Sequence, residues 1–99
     1  MAVKLIIAAE AEQDLLEAYA WYERQRVGLG DEFLEHIDGR IQEICHSPEL
    51  HAKVRKDYRR VLAWRFPYAI FYEFETGAVV VYAVFHTARD PKTLEDRLK

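Results

Sequence analysis

The segment Arg59-Arg60-Val61-Leu62-Ala63-Trp64-Arg65-Phe66-Pro67-Tyr68-Ala69-Ile70-Phe71-Tyr72-Glu73-Phe74-Glu75-Thr76-Gly77, continuing as Ala78-Val79-Val80-Val81-Tyr82-Ala83-Val84-Phe85, has the period of a β-sheet. Arg60, Leu62, Trp64 and Phe66 alternate with Arg59, Val61, Ala63 and Arg65, the two-residue repeat of an extended chain. On that alternation Arg59 and Arg65 share one sheet face and Arg60 takes the other. Pro67 interrupts the repeat. Tyr68, Ile70, Tyr72 and Phe74 then alternate with Ala69, Phe71, Glu73 and Glu75, and Thr76-Gly77 reads as a tight turn. Ala78 to Phe85 is a nearly continuous β-branched and aromatic run, as expected of a central strand. Consecutive hairpins make this an antiparallel meander of three strands.

Upstream the period is different. Val3 to Ile7 is aliphatic and β-branched and predicts a short strand. From Glu10 the apolar residues Ala11, Leu15, Ala18, Tyr19 and Tyr22 recur at helical spacing, with Glu12, Asp14, Glu17 and Glu23 on the polar side. Val27-Gly28-Leu29-Gly30 breaks this helix. Asp31 is placed to cap a second one, whose stripe is Leu34, Ile37, Ile41, Ile44 and Cys45. Ser47-Pro48 ends it, because proline disfavours helix in the residue before it. Two helices joined by a short glycine turn form an antiparallel hairpin. Downstream, Asp90-Pro91 reads as an N-cap with proline at the first helical position, and Thr93 to Leu98 predicts a short terminal helix. The whole is α+β, one domain over residues 1–99: an N-terminal strand, a helical hairpin, then a three-stranded antiparallel meander forming one sheet.

With 51% hydrophobic residues the chain has material for a core, and 31% charged residues keep it out of the disordered class. A single cysteine, Cys45, rules out an internal disulfide and fits a reducing cytoplasm. The apolar run in Met1–Glu10 is too short for a signal peptide or a membrane span. The net charge of −3 is unevenly placed. Residues 1–50 carry 4 Lys/Arg against 11 Asp/Glu, a balance of −7; residues 51–99 carry 10 against 6, a balance of +4. The basic half suits an acidic partner or a phosphate backbone. His36, His46, His51 and His86 have no metal-site spacing with Cys45, and there is no glycine-rich phosphate loop or Ser/His/Asp pattern. No metal and no cofactor is expected.

Four segments resemble the RelE/ParE toxin superfamily, and its ParE-like branch most closely. Ala11-Glu12-Gln13-Asp14-Leu15 through Tyr19-Ala20-Trp21-Tyr22 is similar to the family's acidic, aromatic first helix. Gly28-Leu29-Gly30 with Phe33-Leu34 matches its interhelical turn. Arg59-Arg60-Val61-Leu62 leading into Arg65-Phe66-Pro67-Tyr68-Ala69-Ile70-Phe71-Tyr72 is the most specific element. His86-Thr87-Ala88-Arg89-Asp90-Pro91 matches the family's ending. Together these cover nearly the whole chain. The resemblance implies the toxin of a type II toxin–antitoxin pair, acting in the cytoplasm and silenced by a cognate antitoxin whose C-terminal segment wraps over it. It implies no membrane association and no sequence-specific DNA binding by this chain, since the antitoxin carries the DNA-binding part.

The superfamily has two activities. ParE-like members inhibit DNA gyrase as binding proteins. RelE-like members cut messenger RNA on the ribosome without a metal, using basic residues and often a C-terminal Tyr or His. The sequence leans to the first. The neighbour of Tyr68 is Ala69, where the nucleases commonly carry an arginine, and the tail from Lys92 to Lys99 has neither Tyr nor His. A nuclease would use Arg65, His86 and Arg89. A binding surface would use Trp21, Arg59, Arg65 and Arg89. Each has an ordinary structural reading: His86 bonded to the sheet end, Arg89 paired with an acid, the arginines on a solvated strand face. Trp21, off the main stripe, suggests an interface or simple packing at the helix edge. Lys53, Arg55 and Lys56 fall in an expected loop, and Tyr19, Tyr22, Trp64, Phe66, Tyr72 and Phe74 are expected in the core.

Overall fold

Two periods in the sequence become two layers. The computed structural model describes residues 3–99, so of the reading made for Met1–Glu10 the first two residues lie outside the described residues. Strand β1 (Lys4–Ile7) leads into helices α1 (Ala9–Gln25) and α2 (Leu29–His46). Strands β2 (Lys53–Arg55), β3 (Tyr58–Ala63), β4 (Tyr68–Glu75) and β5 (Ala78–His86) follow, and α3 (Pro91–Arg97) closes the chain. The α+β order expected from the sequence holds. The five strands form one sheet in the order β1-β5-β4-β3-β2. All pairs are antiparallel except β1 with β5, which run parallel from Lys4↔Ala78 to Ile7↔Val81.

A bulge decides which residues of β5 are buried where. Phe71 pairs with Ala83 and Tyr72 with Val81, leaving Tyr82 as the extra residue. The alternation of β5 therefore flips at Tyr82. Val79, Val81 and Val84 all join Ile70 and Tyr72 on one face, under Ala11, Ala18 and Tyr22 of α1 and Phe33, Ile37, Ile41 and Ile44 of α2. Ala69, Phe71, Ala83 and Phe85 face the other way, against Leu94 and Leu98. Each large apolar side chain fully buried in this way contributes about 1.5–3 kcal/mol. At one end of the main core Tyr22, Phe33, Phe66 and Tyr68 form an aromatic cluster with ring centroids 5.0–5.2 Å apart in four contacts.

Several expectations are corrected. Four strands follow the helices instead of three: Lys53–Arg55 is an edge strand, folded onto β3 by a turn in which Lys56 takes a φ of 51°. Three residues, two of them charged, hide its period; short charged strands are how sheet edges resist further pairing. Strand β3 stops at Ala63, because Trp64–Pro67 is a turn closed by the Phe66 amide on the Ala63 carbonyl at 3.0 Å. Arg65 therefore does not share a strand face with Arg59. Phe66 reaches the core from that turn, while Trp64 is 75% exposed instead of buried. Asp31 is not the cap of α2. The helix begins at Leu29, Gly28 holds the left-handed cap position with a φ of 91°, and the Glu23 carboxylate of α1 accepts the amides of Gly28 (2.9 Å) and Gly30 (2.8 Å). A side chain from the preceding helix thus does the work of a local cap. The expected cap at Asp90 is present, its Oδ1 accepting the Lys92 amide at 3.0 Å, and α3 starts at Pro91, two residues earlier than Thr93.

Candidate functional site

Helix α1 crosses the end of β5, and between them lies a cleft of about 480 Å³. Trp21 and Tyr22 form its helical wall, and Pro67, Tyr68, Val84 and His86 its sheet wall, with Arg89 at the mouth. The spacing of α1 explains the wall. Tyr22 follows Ala11 and Ala18 on the buried stripe, so its neighbour Trp21 is turned to the stripe's edge and is half exposed. Trp21 packs edge-on to Tyr22 at 5.1 Å, and Tyr22 lies 6.2 Å from Tyr68. Burial pushes the hydroxyls of Tyr22 and Tyr68 above the usual phenol range, with Arg89 opposing the shift at Tyr68, so both remain neutral donors.

His86 and Arg89 meet at the end of β5. The His86 ring stands edge-on to Tyr68 at 5.3 Å, and its Nδ1 accepts the Ala88 amide at 3.0 Å, so the neutral ring's proton is on Nε2. The Arg89 guanidinium lies over the Phe85 ring at 4.2 Å. Among the described residues no acidic group lies within ion-pair distance of it. A second groove of about 260 Å³ runs on the α3 side of the sheet, where Arg60 and Leu62 of β3 face Phe85, His86 and Arg89 across Ala69 and Phe71.

The other arginines singled out by sequence are elsewhere. Arg65, on the Trp64–Pro67 turn, ion-pairs with Glu32 of α2, which also takes Arg26 at 3.0 Å. The hydrogen bond from Arg65, then that from Arg26, holds the Glu32 carboxyl below its usual range. Arg59, near the Thr76 end of the sheet, donates to the carbonyls of His51 at 2.6 Å and Glu49 at 3.2 Å. The structure therefore brings Trp21, His86 and Arg89 to one cleft and leaves Arg65 and Arg59 outside it.

Sequence reasoning missed Asp14 and Arg97. Asp14, expected on the polar side of α1, is 6% exposed and lines the cleft. Its Oδ2 accepts the Val84 amide at 3.0 Å, and its two oxygens take the Arg97 guanidinium at 2.8 and 3.1 Å. Arg97 also donates to the Tyr82 carbonyl at 3.3 Å and lies over Phe85 at 4.8 Å. The signal was available: Asp14 sits in phase with Ala11 and Ala18. Among the described residues no three His, Cys, Asp or Glu side chains come together as a metal site, and no helix is long and apolar enough to cross a membrane.

Residues 5–91 match the family model described as the ParE toxin of type II toxin–antitoxin system, parDE. Among solved structures the chain is similar to the chromosomal ParDE toxin–antitoxin system from P. aeruginosa, with a TM-score of 0.77 and 12% identity over 86% of this chain and 96% of that one. It is also similar to the isolated E. coli RelE toxin, with a TM-score of 0.66 and 17% identity over 96% of this chain and 95% of the other. No curated protein matches it by sequence.

Proposed function

The chain belongs to the ParE toxin family of type II toxin–antitoxin systems, and from that premise we propose that it is an inhibitor of DNA gyrase, active in the cytoplasm and neutralised by a cognate antitoxin. The observation that carries this reading is the separation of Arg65 from His86 and Arg89. A metal-independent nuclease needs a proton-transfer group and phosphate-neutralising cations around one scissile bond. Arg65 is instead engaged by Glu32 of α2, while His86 and Arg89 line the cleft. The position beside Tyr68 is Ala69, buried on the opposite sheet face. What remains accessible there, the half-exposed Trp21 beside the partly buried Tyr68 with the Arg89 cation nearby, has the chemistry of a protein-binding surface.

One observation favours the second reading, a RelE-like ribosome-dependent mRNA endonuclease. Arg60, His86 and Arg89 line the groove on the α3 side, two cations and an imidazole together. A single pair of assays separates the two. Purified chain added to gyrase is expected to block supercoiling or trap cleaved DNA, with reversal by the antitoxin. Undiminished supercoiling at saturating chain, accompanied by site-specific cuts in translated messages that disappear in His86→Ala, would replace the first reading with the second.

A further inference from the structure

Glu32, His36 and Arg40 follow one another at four-residue spacing on α2, which puts them on one face of the helix. All three reach the end of β3 and the turn after it. Glu32 takes the Arg65 guanidinium, the Nε2 of His36 accepts the Arg65 amide at 3.5 Å, and Arg40 donates to the Leu62 carbonyl at 3.1 Å. The His36 ring also stands edge-on to Trp64 at 4.7 Å and tilted to Phe66 at 5.8 Å. The three side chains on α2 are half-buried, while Trp64 is 75% exposed and among the described residues meets no other aromatic ring. The middle member of the row is the one that changes charge near neutral pH. It accepts the Arg65 amide only while neutral, with its proton on Nδ1. Protonated, it turns a donor towards a donor and adds a positive charge near Arg40 of α2 and Arg65 of the turn. Glu43 of α2 opposes them but is itself paired with Arg40, and Glu32 is shared by Arg65 and Arg26. Burial first, then Arg40 and Arg65, hold the ring below the usual imidazole range. The Trp64 face attracts an imidazolium, but water weakens that attraction at a ring so exposed.

We propose that His36 is a proton-operated latch: neutral, it docks the Trp64–Pro67 turn on α2; protonated, it releases Trp64 and Arg65 and loosens Phe66. Phe66 carries the change to the cleft, because the same ring meets Tyr22 of the cleft wall at 5.0 Å. The Pro67 end stays anchored, its carbonyl accepting the Thr87 amide at 2.8 Å, so the motion hinges there. With the turn released, His36 returns to the ordinary imidazole value of about 6.5. The docked ring takes up a proton less readily, so docking is complete above that value and is lost as pH falls from it towards the docked value. Each pH unit in that window favours release by up to about tenfold. The latch stands whichever partner the cleft takes.

Nuclear magnetic resonance of the full chain between pH 7.5 and pH 5 tests the latch. Overhauser contacts from His36 to Trp64 and Phe66 are expected at the upper end and fade towards the lower. The Trp64 indole, the Arg65 amide and the Tyr22 ring are expected to move on one curve, with the midpoint of the His36 ring, while the amides of Ile70 and Val81 in the core hold still. His36→Gln, neutral throughout and with an oxygen for the Arg65 amide, is expected to abolish the change, and His51→Gln to leave it. Should His36→Gln not fold, Glu43→Gln serves: without that negative charge the midpoint moves to lower pH. His36–Trp64 contacts that persist or strengthen as the ring takes up its proton overturn the proposal, because the attraction of the Trp64 face then wins. A change that survives His36→Gln, or a midpoint unmoved in Glu43→Gln, overturns it as well. So does loss of the Ile70 and Val81 amide signals together with the turn, which is unfolding of the whole chain. A Tyr22 ring that stays still while the turn releases overturns the link to the cleft.

Discussion

Asp14 holds three elements with one carboxylate: it sits on α1, bonds the backbone of β5, and grips Arg97 at the end of α3. Its side chain is 3% exposed and that of Arg97 18%, so the pair is largely withdrawn from water. Hydrogen bonding by Asp14 is the main influence raising the Arg97 guanidinium further above its usual range. Removing one member of such a pair leaves the other charge buried without compensation, a loss of about 3–5 kcal/mol. Asp14→Ala is expected to lose stability on that scale. Asp14→Asn, which keeps an oxygen for the Val84 amide, is expected to lose less. Urea denaturation of both variants measures the difference, and a negligible effect of Asp14→Ala would show that the carboxylate has no structural role.

The helical hairpin depends on a close approach at one glycine and not at another. A Cβ built on Gly30 would lie 2.7 Å from both the Tyr19 ring and the Glu23 side chain of α1, whereas one on Gly39, further along α2, meets nothing within 4 Å. Gly30 is thus required by packing, and Gly39 only adds flexibility to the unfolded chain. Gly30→Ala is expected to cost about 1–3 kcal/mol through overpacking, and Gly39→Ala to gain about 0.5–1 kcal/mol. Thermal melts of the two variants should move in opposite directions; a shift of the same sign in both would contradict this account of the α1–α2 contact. The sequence shows two glycines near a turn and one inside a helical pattern. It does not show which of them another helix touches.

Across the molecule, stability should fall on the acid side of neutrality. Burial first, and Arg40 second, hold both His36 and His51 below the usual imidazole range. The unfolded chain takes up protons near pH 6.5 while the folded chain resists, so folding is disfavoured as pH falls from there towards the folded values. Glu32, held low by Arg65 and Arg26, acts in the same direction further down: its contribution is complete above the ordinary glutamate value and is lost as pH falls through its folded value. The denaturation midpoint is expected to drop between pH 7.5 and pH 5, and the His36→Gln, His51→Gln double variant to flatten that slope; an unchanged slope in the double variant would remove the histidines from the account. The sequence by itself determined the class of fold, because the change from a 3.6-residue to a two-residue period separates hairpin from sheet, and because Ser47-Pro48, Thr76-Gly77 and Asp90-Pro91 act through local backbone chemistry that needs no neighbour. It also placed Trp21 off the buried stripe of α1. Only the tertiary structure decided that β1 pairs with β5, that the bulge at Tyr82 reverses the faces of that strand, that Arg65 leaves the strand to meet Glu32, and that Asp14 is buried. Each of these depends on a partner far away in the chain, and a one-dimensional period records which side a residue faces but not what waits there.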